Sequence, residues 1–261
     1  MLSLFTFLSK YNHDYVVYYD FLHWPYGDKT FEQSLACVEK GIEYLTTQDA
    51  DYIIVPPMYE LHLTQHSKLK AKSPQILSLF RTYLLDYCFT YSLVGKLGFF
   101  WDFADMQVAQ TLIHYVEKEY VLAPNQQSIK KFHFPFVYRG KETPLWKYYL
   151  TSLSYSNILV NKIIKFDLRY FKDAMVDTII PLHYGYFHYQ TTITKFLNFK
   201  KIRFHSLEKI ENIFTAHIPQ QAKTYSVKIA YTGNNDFLIR EKRLMWLLQR
   251  GKTTEIVWEK I

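Results

Sequence analysis

Side chains able to hold a proton or a metal ion near neutral pH are few in this chain. It has two thiols, Cys37 and Cys88. Two cysteines make neither a disulfide framework nor a cysteine-based zinc site. Both fall in stretches with helical periodicity, where a cysteine behaves as a small apolar core residue. His183 is the sharpest candidate. Its imidazole, titrating near pH 6.5 when unperturbed, suits a single general base; the competing reading is a histidine merely tolerated at a turn. His62 and His66 are four apart and could share a helix face as metal ligands, but no third ligand stands at a telling spacing. His183 and His188, five apart, offer no better. The chain has 8 glycines, and the only close pair is Gly95 and Gly98. Neither a G-x-G-x-x-G turn nor a Walker loop exists to cradle a phosphate. These residues call for no metal and no cofactor.

The basic residues come in small groups: Lys68-Lys70-Lys72, Lys130-Lys131, Lys200-Lys201-Arg203 and Arg240-Lys242-Arg243. Aromatic residues make up 18% of the 261, and the net charge is +7. Rings beside cations can stack on nucleic-acid bases, serve a protein interface, or simply belong to the solvated surface of a basic protein. Hydrophobic residues at 49% and charged residues at 21% describe a globular chain, not a disordered one. The most apolar later stretch, Leu84 to Met106, contains Asp86, Lys96, Asp102 and Asp105, so no membrane span is expected. The start, Met1 to Leu8, lacks a basic region and a small-residue cleavage site, and reads as a helix, not a signal peptide. The expected location is cytoplasmic.

The elements that must position these groups alternate. Strands are expected at Tyr15–Tyr19, Tyr52–Val55, Ile76–Phe80, Lys96–Trp101, Val176–Ile180, Ile202–Phe204, Val227–Tyr231 and Thr254–Trp258, with Phe134–Val137 extended. Helices are expected at Thr30–Leu45, Arg81–Leu93, Asp105–Glu119, Thr191–Leu197, Leu207–Ile218 and Phe237–Gln249, with one or two more within Pro144–Ile164. Thr30 with Gln33 forms a capping box, and Ser206 is placed to cap the helix after it. Such alternation argues α/β architecture with largely parallel sheets. One internal echo matters. Asp51-Tyr52-Ile53-Ile54 corresponds to Asp177-Thr178-Ile179-Ile180, and each run ends in a proline and aromatic turn. Ligands of open α/β sheets sit beyond the carboxyl ends of strands, so two such turns facing each other would make a pseudo-symmetric site.

At these residues the chain resembles the glutamate racemase family, within the aspartate/glutamate racemase superfamily. Tyr15 to Thr30, with Asp20 and Pro25-Tyr26-Gly27-Asp28-Lys29-Thr30, is similar to the family's strand, Asp and P-Y-G-x-K-S segment. Asp51 to Tyr59 resembles the strand leading to A-C-N-T, and Asp177 to Tyr186 the strand leading to G-C-T-H-Y. Phe136-Val137-Tyr138-Arg139-Gly140 resembles F-V-E-x-G, and Ala230-Tyr231-Thr232-Gly233 the late T-T-G. The resemblance implies two pseudo-symmetric α/β domains with the site between them: residues 1–93 plus 206–261, and residues 94–205. It also implies a homodimer or another protein assembly. Some relatives bind DNA gyrase, so a DNA- or gyrase-associated role follows by analogy.

The departures bear on chemistry. The family inverts an amino acid with two thiols on opposite faces of the α-carbon, and no cofactor; one takes a proton and the other delivers one. Here the two cysteine positions read Pro57 and His183. The family's histidine reads Gly185, the glutamate of F-V-E reads Tyr138, and the T-x-x-T pair reads Asp102 and Asp105. No D-S-G substrate loop occurs, and Met1 to Asp14 resembles only the helix after it. The expectation is a degenerate, catalytically inactive racemase-like protein kept for binding or assembly. Its former pocket would comprise Pro25, Tyr26, Gly27, Met58, Tyr59, Tyr138, Tyr184 and Gly185, filled by its larger side chains. The alternative is a one-base amino-acid isomerase or lyase using His183.

Overall fold

Parallel pairing needs long crossovers, and the chain supplies them with helices. The computed structural model describes residues 4, 8, 11, 13–20, 22–23, 29–66, 75–92, 95–101, 106–122, 136–146, 158–198, 201–218, 225–233 and 253–261. In chain order these form β1 (Tyr15–Asp20), α1 (Phe31–Thr46), β2 (Tyr52–Ile53), α2 (Pro57–His66), β3 (Gln75–Ile76) and α3 (Leu79–Tyr83), which runs into a π-helical turn, Leu84–Phe89. There follow β4 (Lys96–Trp101), α4 (Met106–Leu122), β5 (Val137–Glu142), α5 (Ile158–Asp173), β6 (Thr178–Pro181), a 3₁₀ turn over Tyr184–Tyr189, α6 (Gln190–Leu197), α7 (Leu207–His217), β7 (Tyr225–Thr232) and β8 (Thr253–Lys260). The strands make three sheets, β1-β7-β8, β2-β3 and β5-β4-β6. Each strand pair is parallel, as the alternating pattern predicts. No helix among the described residues is long and apolar enough to cross a membrane.

Strand β4 sets the core. Side chains alternate across a strand, so Leu97, Phe99 and Trp101 enter one apolar cluster while Phe100 enters another. Beside it, Ile180 joins the first cluster and Ile179 the second. α5 covers the second face with Val160, Ile164, Leu168 and Phe171. Its approach is close because Gly98 has no side chain: a Cβ there would meet Phe171 Cδ1 at 2.6 Å. The first cluster is larger and joins α1, α2, α3, α4 and α7. Leu4 and Leu8 are helical and buried in it, as the apolar start suggests.

Local signals act where sequence places them, with instructive exceptions. The capping box is made: Gln33 N–H donates to Thr30 Oγ1 at 3.3 Å, and Thr30 N–H to Gln33 Oε1 at 3.0 Å. Ser206 stands at the cap of α7 without a side-chain cap bond; the Leu207 N–H donates instead to Gln190 Oε1 at 3.1 Å. The strand expected over Ile76–Phe80 gives way to helix at Leu79, because a distant carboxylate, Glu60, receives the Phe80 and Arg81 N–H groups. The Ile202–Phe204 strand reduces to one bridge, Thr178 to Arg203. β5 starts at Val137 and runs beyond the expected extended piece; it is an edge strand with largely polar residues, so it lacks an apolar pattern. The helix expected over Phe237–Gln249 lies outside the described residues.

Candidate functional site

The two echoed turns come together in one apolar cluster. After β2, Pro57 opens α2 at its first position, where proline's missing N–H costs nothing. Pro57, Met58 and Tyr59 are buried. Tyr59 stacks on Phe31 with ring centroids 5.6 Å apart, and His62 meets the same ring edge-on at 5.3 Å. After β6, His183 caps the 3₁₀ turn, and Tyr184 and Gly185 are buried within it. Met58, Tyr59 and Tyr184 share the first cluster, with Tyr138 packed against its edge. Phe80 meets the Tyr184 ring edge-to-face at 6.2 Å. Met58, Tyr59 and Tyr184, three of the positions expected in the pocket, are thus packed as core residues. Pro25, Tyr26 and Gly27 lie outside the described residues, as do Asp102 and Asp105.

Glu60 is the acid that joins the two turns. Its Oε1 accepts from Arg81 N–H at 2.8 Å and its Oε2 from Phe80 N–H at 3.0 Å. It therefore caps α3 from another helix and supplies acceptors that α3's own first turn lacks. Burial pushes its carboxyl up to about 8, against the pull of those two donors. Burial, then the neighbouring Glu60, holds the Tyr184 phenol well above its ordinary value. Tyr138 is raised likewise, by burial and then by Glu117. Glu117 in turn accepts from Phe136 N–H at 2.7 Å. Sequence reading passed over both acids. The available signal was a lone carboxylate inside an apolar run, Met58-Tyr59-Glu60-Leu61, which must find buried donors.

His183 is a hydrogen-bond acceptor. The Gly185 N–H donates to its Nδ1 at 3.0 Å, and its ring lies 5.8 Å from that of Tyr186. Burial, reinforced by nearby positive charge that includes His188, pushes the imidazole down to about 3. A neutral ring whose Nδ1 lone pair is already engaged, and whose conjugate acid is that strong, is a feeble base toward a carbon acid. The thiols stand elsewhere. Cys88 is fully buried in the π-helical turn, and burial raises its thiol. Cys37 is buried in α1. His62 and His66 share α2, and among the described residues no cluster of three metal ligands includes His62.

Part of one basic group stands with aromatic rings. Tyr87 and Tyr91 stack at 6.4 Å, His205 lies 5.8 Å from Tyr91, and Lys209 sits 5.0 Å above Tyr87. Arg203 donates to the Tyr91 carbonyl. The groups at Lys68-Lys70-Lys72, Lys130-Lys131 and Arg240-Lys242-Arg243 lie outside the described residues, as does Lys200.

No protein-family model matches the sequence, and no curated protein matches it. Solved structures do match the fold. Glutamate racemase isoform RacE1 from Bacillus anthracis superposes with a TM-score of 0.72 at 14% identity, covering 99% of this chain and 91% of that one. Glutamate racemase from Francisella tularensis, solved with D-glutamate, gives 0.71 at 15% identity, covering 98% and 91%. The Escherichia coli glutamate racemase, solved with L-glutamate and an activator, gives 0.60 at 12% identity, covering 98% and 94%. The chain therefore has the α/β, largely parallel-sheet fold of the glutamate racemases.

Proposed function

We propose that this is a racemase-fold protein that does not racemise and is retained for binding or assembly. The observation that carries the reading is the pair of positions Pro57 and His183. One has no ionisable side chain, and the other is a capping acceptor pushed down to about 3. Inverting a stereocentre by the two-base route needs a proton acceptor on one face and a donor on the other. Met58, Tyr59 and Tyr184, each no more than 4% exposed, belong to one apolar cluster, which supports a filled former pocket. The former pocket would also have included Pro25, Tyr26, Gly27, Tyr138 and Gly185. We propose the division into residues 1–93 with 206–261, and 94–205; the strands of the β1-β7-β8 sheet come from the first set and those of β5-β4-β6 from the second.

A binding role has its own support in exposed apolar side chains. On α5, Ile158 is 76% and Phe166 69% exposed, with Met175 just beyond at 69%. Exposed apolar side chains on a helix whose other side is already packed suit a protein partner or a second copy. The test is α-proton exchange of D- and L-glutamate and aspartate in D2O, beside an active racemase. Exchange at background supports the reading. Exchange above background that is lost in His183→Ala overturns it in favour of a one-base isomerase or lyase.

The Tyr87, Tyr91, His205 and Lys209 group favours a second reading, a DNA- or gyrase-associated regulator. Salt-dependent binding to duplex DNA, weakened in Lys209→Ala, would support direct DNA contact. Absence of binding at low salt would remove it.

A further inference from the structure

A mixed donor cluster stands at the carboxyl edge of the β1-β7-β8 sheet, on residues other than those of the two echoed turns. Asp20 ends β1, His23 follows it in the next turn, and Cys37 projects from α1. One ligand atom from each lies within 4.8 Å of the others. His23 Nδ1 is 2.9 Å from Asp20 Oδ1 and 3.0 Å from Oδ2. A tetrahedral zinc ion with ordinary bond lengths separates N and O ligands by about 3.3 Å, and S from either by about 3.5 Å. The three donors need shift only modestly to meet one ion.

The carboxylate is held as ligating carboxylates are held. The Asp20 side chain is 3% exposed. Its Oδ1 accepts from the Thr232 hydroxyl at 2.7 Å and from the His23 N–H at 3.2 Å. The Thr232 oxygen accepts in turn from the Leu22 N–H at 3.3 Å. Such outer hydrogen bonds orient a first ligand and sharpen affinity. His23 is 36% exposed, which gives an ion a route from solvent. The ligand charges also balance: a carboxylate, a thiolate and a neutral imidazole together neutralise one divalent cation. In the metal-free chain the Cys37 thiol keeps its proton beside Asp20, because burial and then that carboxylate raise it; an ion would release that proton to solvent.

We propose that Asp20, His23 and Cys37 form a binding site for a borderline-soft divalent ion, zinc above all, with a fourth position open to water. Thiolate and imidazole select against magnesium and calcium, which take oxygen ligands. The site does not depend on whether the two echoed turns are inactive.

The probe is cobalt(II) added to the full chain under reducing conditions. The expected result is a thiolate-to-cobalt charge-transfer band that saturates at one equivalent and is bleached by zinc. The band should survive in Cys88→Ser, disappear in Cys37→Ser, and require at least ~10-fold more cobalt in His23→Ala. Zinc should raise the melting temperature of the wild type and leave that of Cys37→Ser unmoved, a readout that also reports folding of each variant. Absence of the band, its persistence in Cys37→Ser, or its loss in Cys88→Ser overturns the proposal.

Discussion

Replacing Glu60 by glutamine should invert which protein is the more stable as pH rises. The Glu60 carboxyl is pushed from 4.5 up to about 8 by burial. A group that binds its proton more tightly in the folded chain makes its full contribution below the unfolded pKa and loses it as pH climbs through the folded one. At about 1.4 kcal/mol per pH unit, that interval corresponds to ~5 kcal/mol drained from the wild type between pH 4.5 and 8. His183 and His205 act oppositely. Burial pushes them down to about 3 and about 4, so their contribution is present above pH 6.5 and is lost as pH falls. The slopes oppose each other below pH 6.5, and Glu60 shows alone only above it, where ~2 kcal/mol remains to be lost. Glu60→Gln removes the titration and leaves the histidines in place. Its amide nitrogen must face one of the two backbone donors, which costs ~1–3 kcal/mol at low pH. Urea unfolding of both proteins from pH 5 to 8.5 should therefore give stability curves that cross, the wild type higher at the acid end and the variant higher at the alkaline end. A difference that stays constant, or widens in favour of the wild type as pH rises, would mean that the Phe80 and Arg81 N–H groups hold the carboxylate ionised, and the argument from burial fails.

Gly98→Ala should destabilise by ~1–3 kcal/mol, read as a lower urea midpoint, because the added methyl runs into the buried Phe171 ring. Tyr184→Ala should cost ~3–5 kcal/mol, since it empties a fully buried ring site; urea unfolding would show near-neutrality if that ring bordered an open cleft. His183→Ala should lose ~1 kcal/mol through the Gly185 N–H bond, and His183→Asn should restore most of it. Ser92→Ala removes the hydroxyl that donates to Asp177 and accepts from the Gly95 N–H. It should cost ~1–3 kcal/mol by chemical denaturation.

What sequence discloses is whatever short-range rules decide. α1 is legible because Thr30 and Gln33 close a capping box within one turn. β4 is legible because Leu97 to Trp101 is an uninterrupted apolar run buried on both faces. The α3 start is not legible, since its donors are satisfied by Glu60, twenty residues upstream of Phe80. β5 is hidden for another reason: an edge strand with polar residues has no period to detect. The echo of Asp51–Ile54 in Asp177–Ile180 points correctly to two strands, but not to the helical turn that follows each of them. It does not foretell that His183 spends its Nδ1 on a backbone N–H, because that depends on the local path of the turn. The Asp20, His23 and Cys37 grouping escapes motif reading too, since its members sit on a strand end, a turn and a helix with no familiar spacing.

The seam between β1 and β7 joins residues made far apart in time. Asp20 and Thr232, neighbours across it, are 212 positions apart. At 5–20 residues per second, a ribosome leaves β1 without that partner for roughly 10–40 s. Throughout that wait Tyr15-Val16-Val17-Tyr18-Tyr19 is a bare, uncharged, β-prone segment of the kind that seeds aggregation. Nascent chains of this protein should accordingly lean on holdases during synthesis, and yield in a heterologous host should respond more to slower growth or added chaperone than to any change on the finished surface.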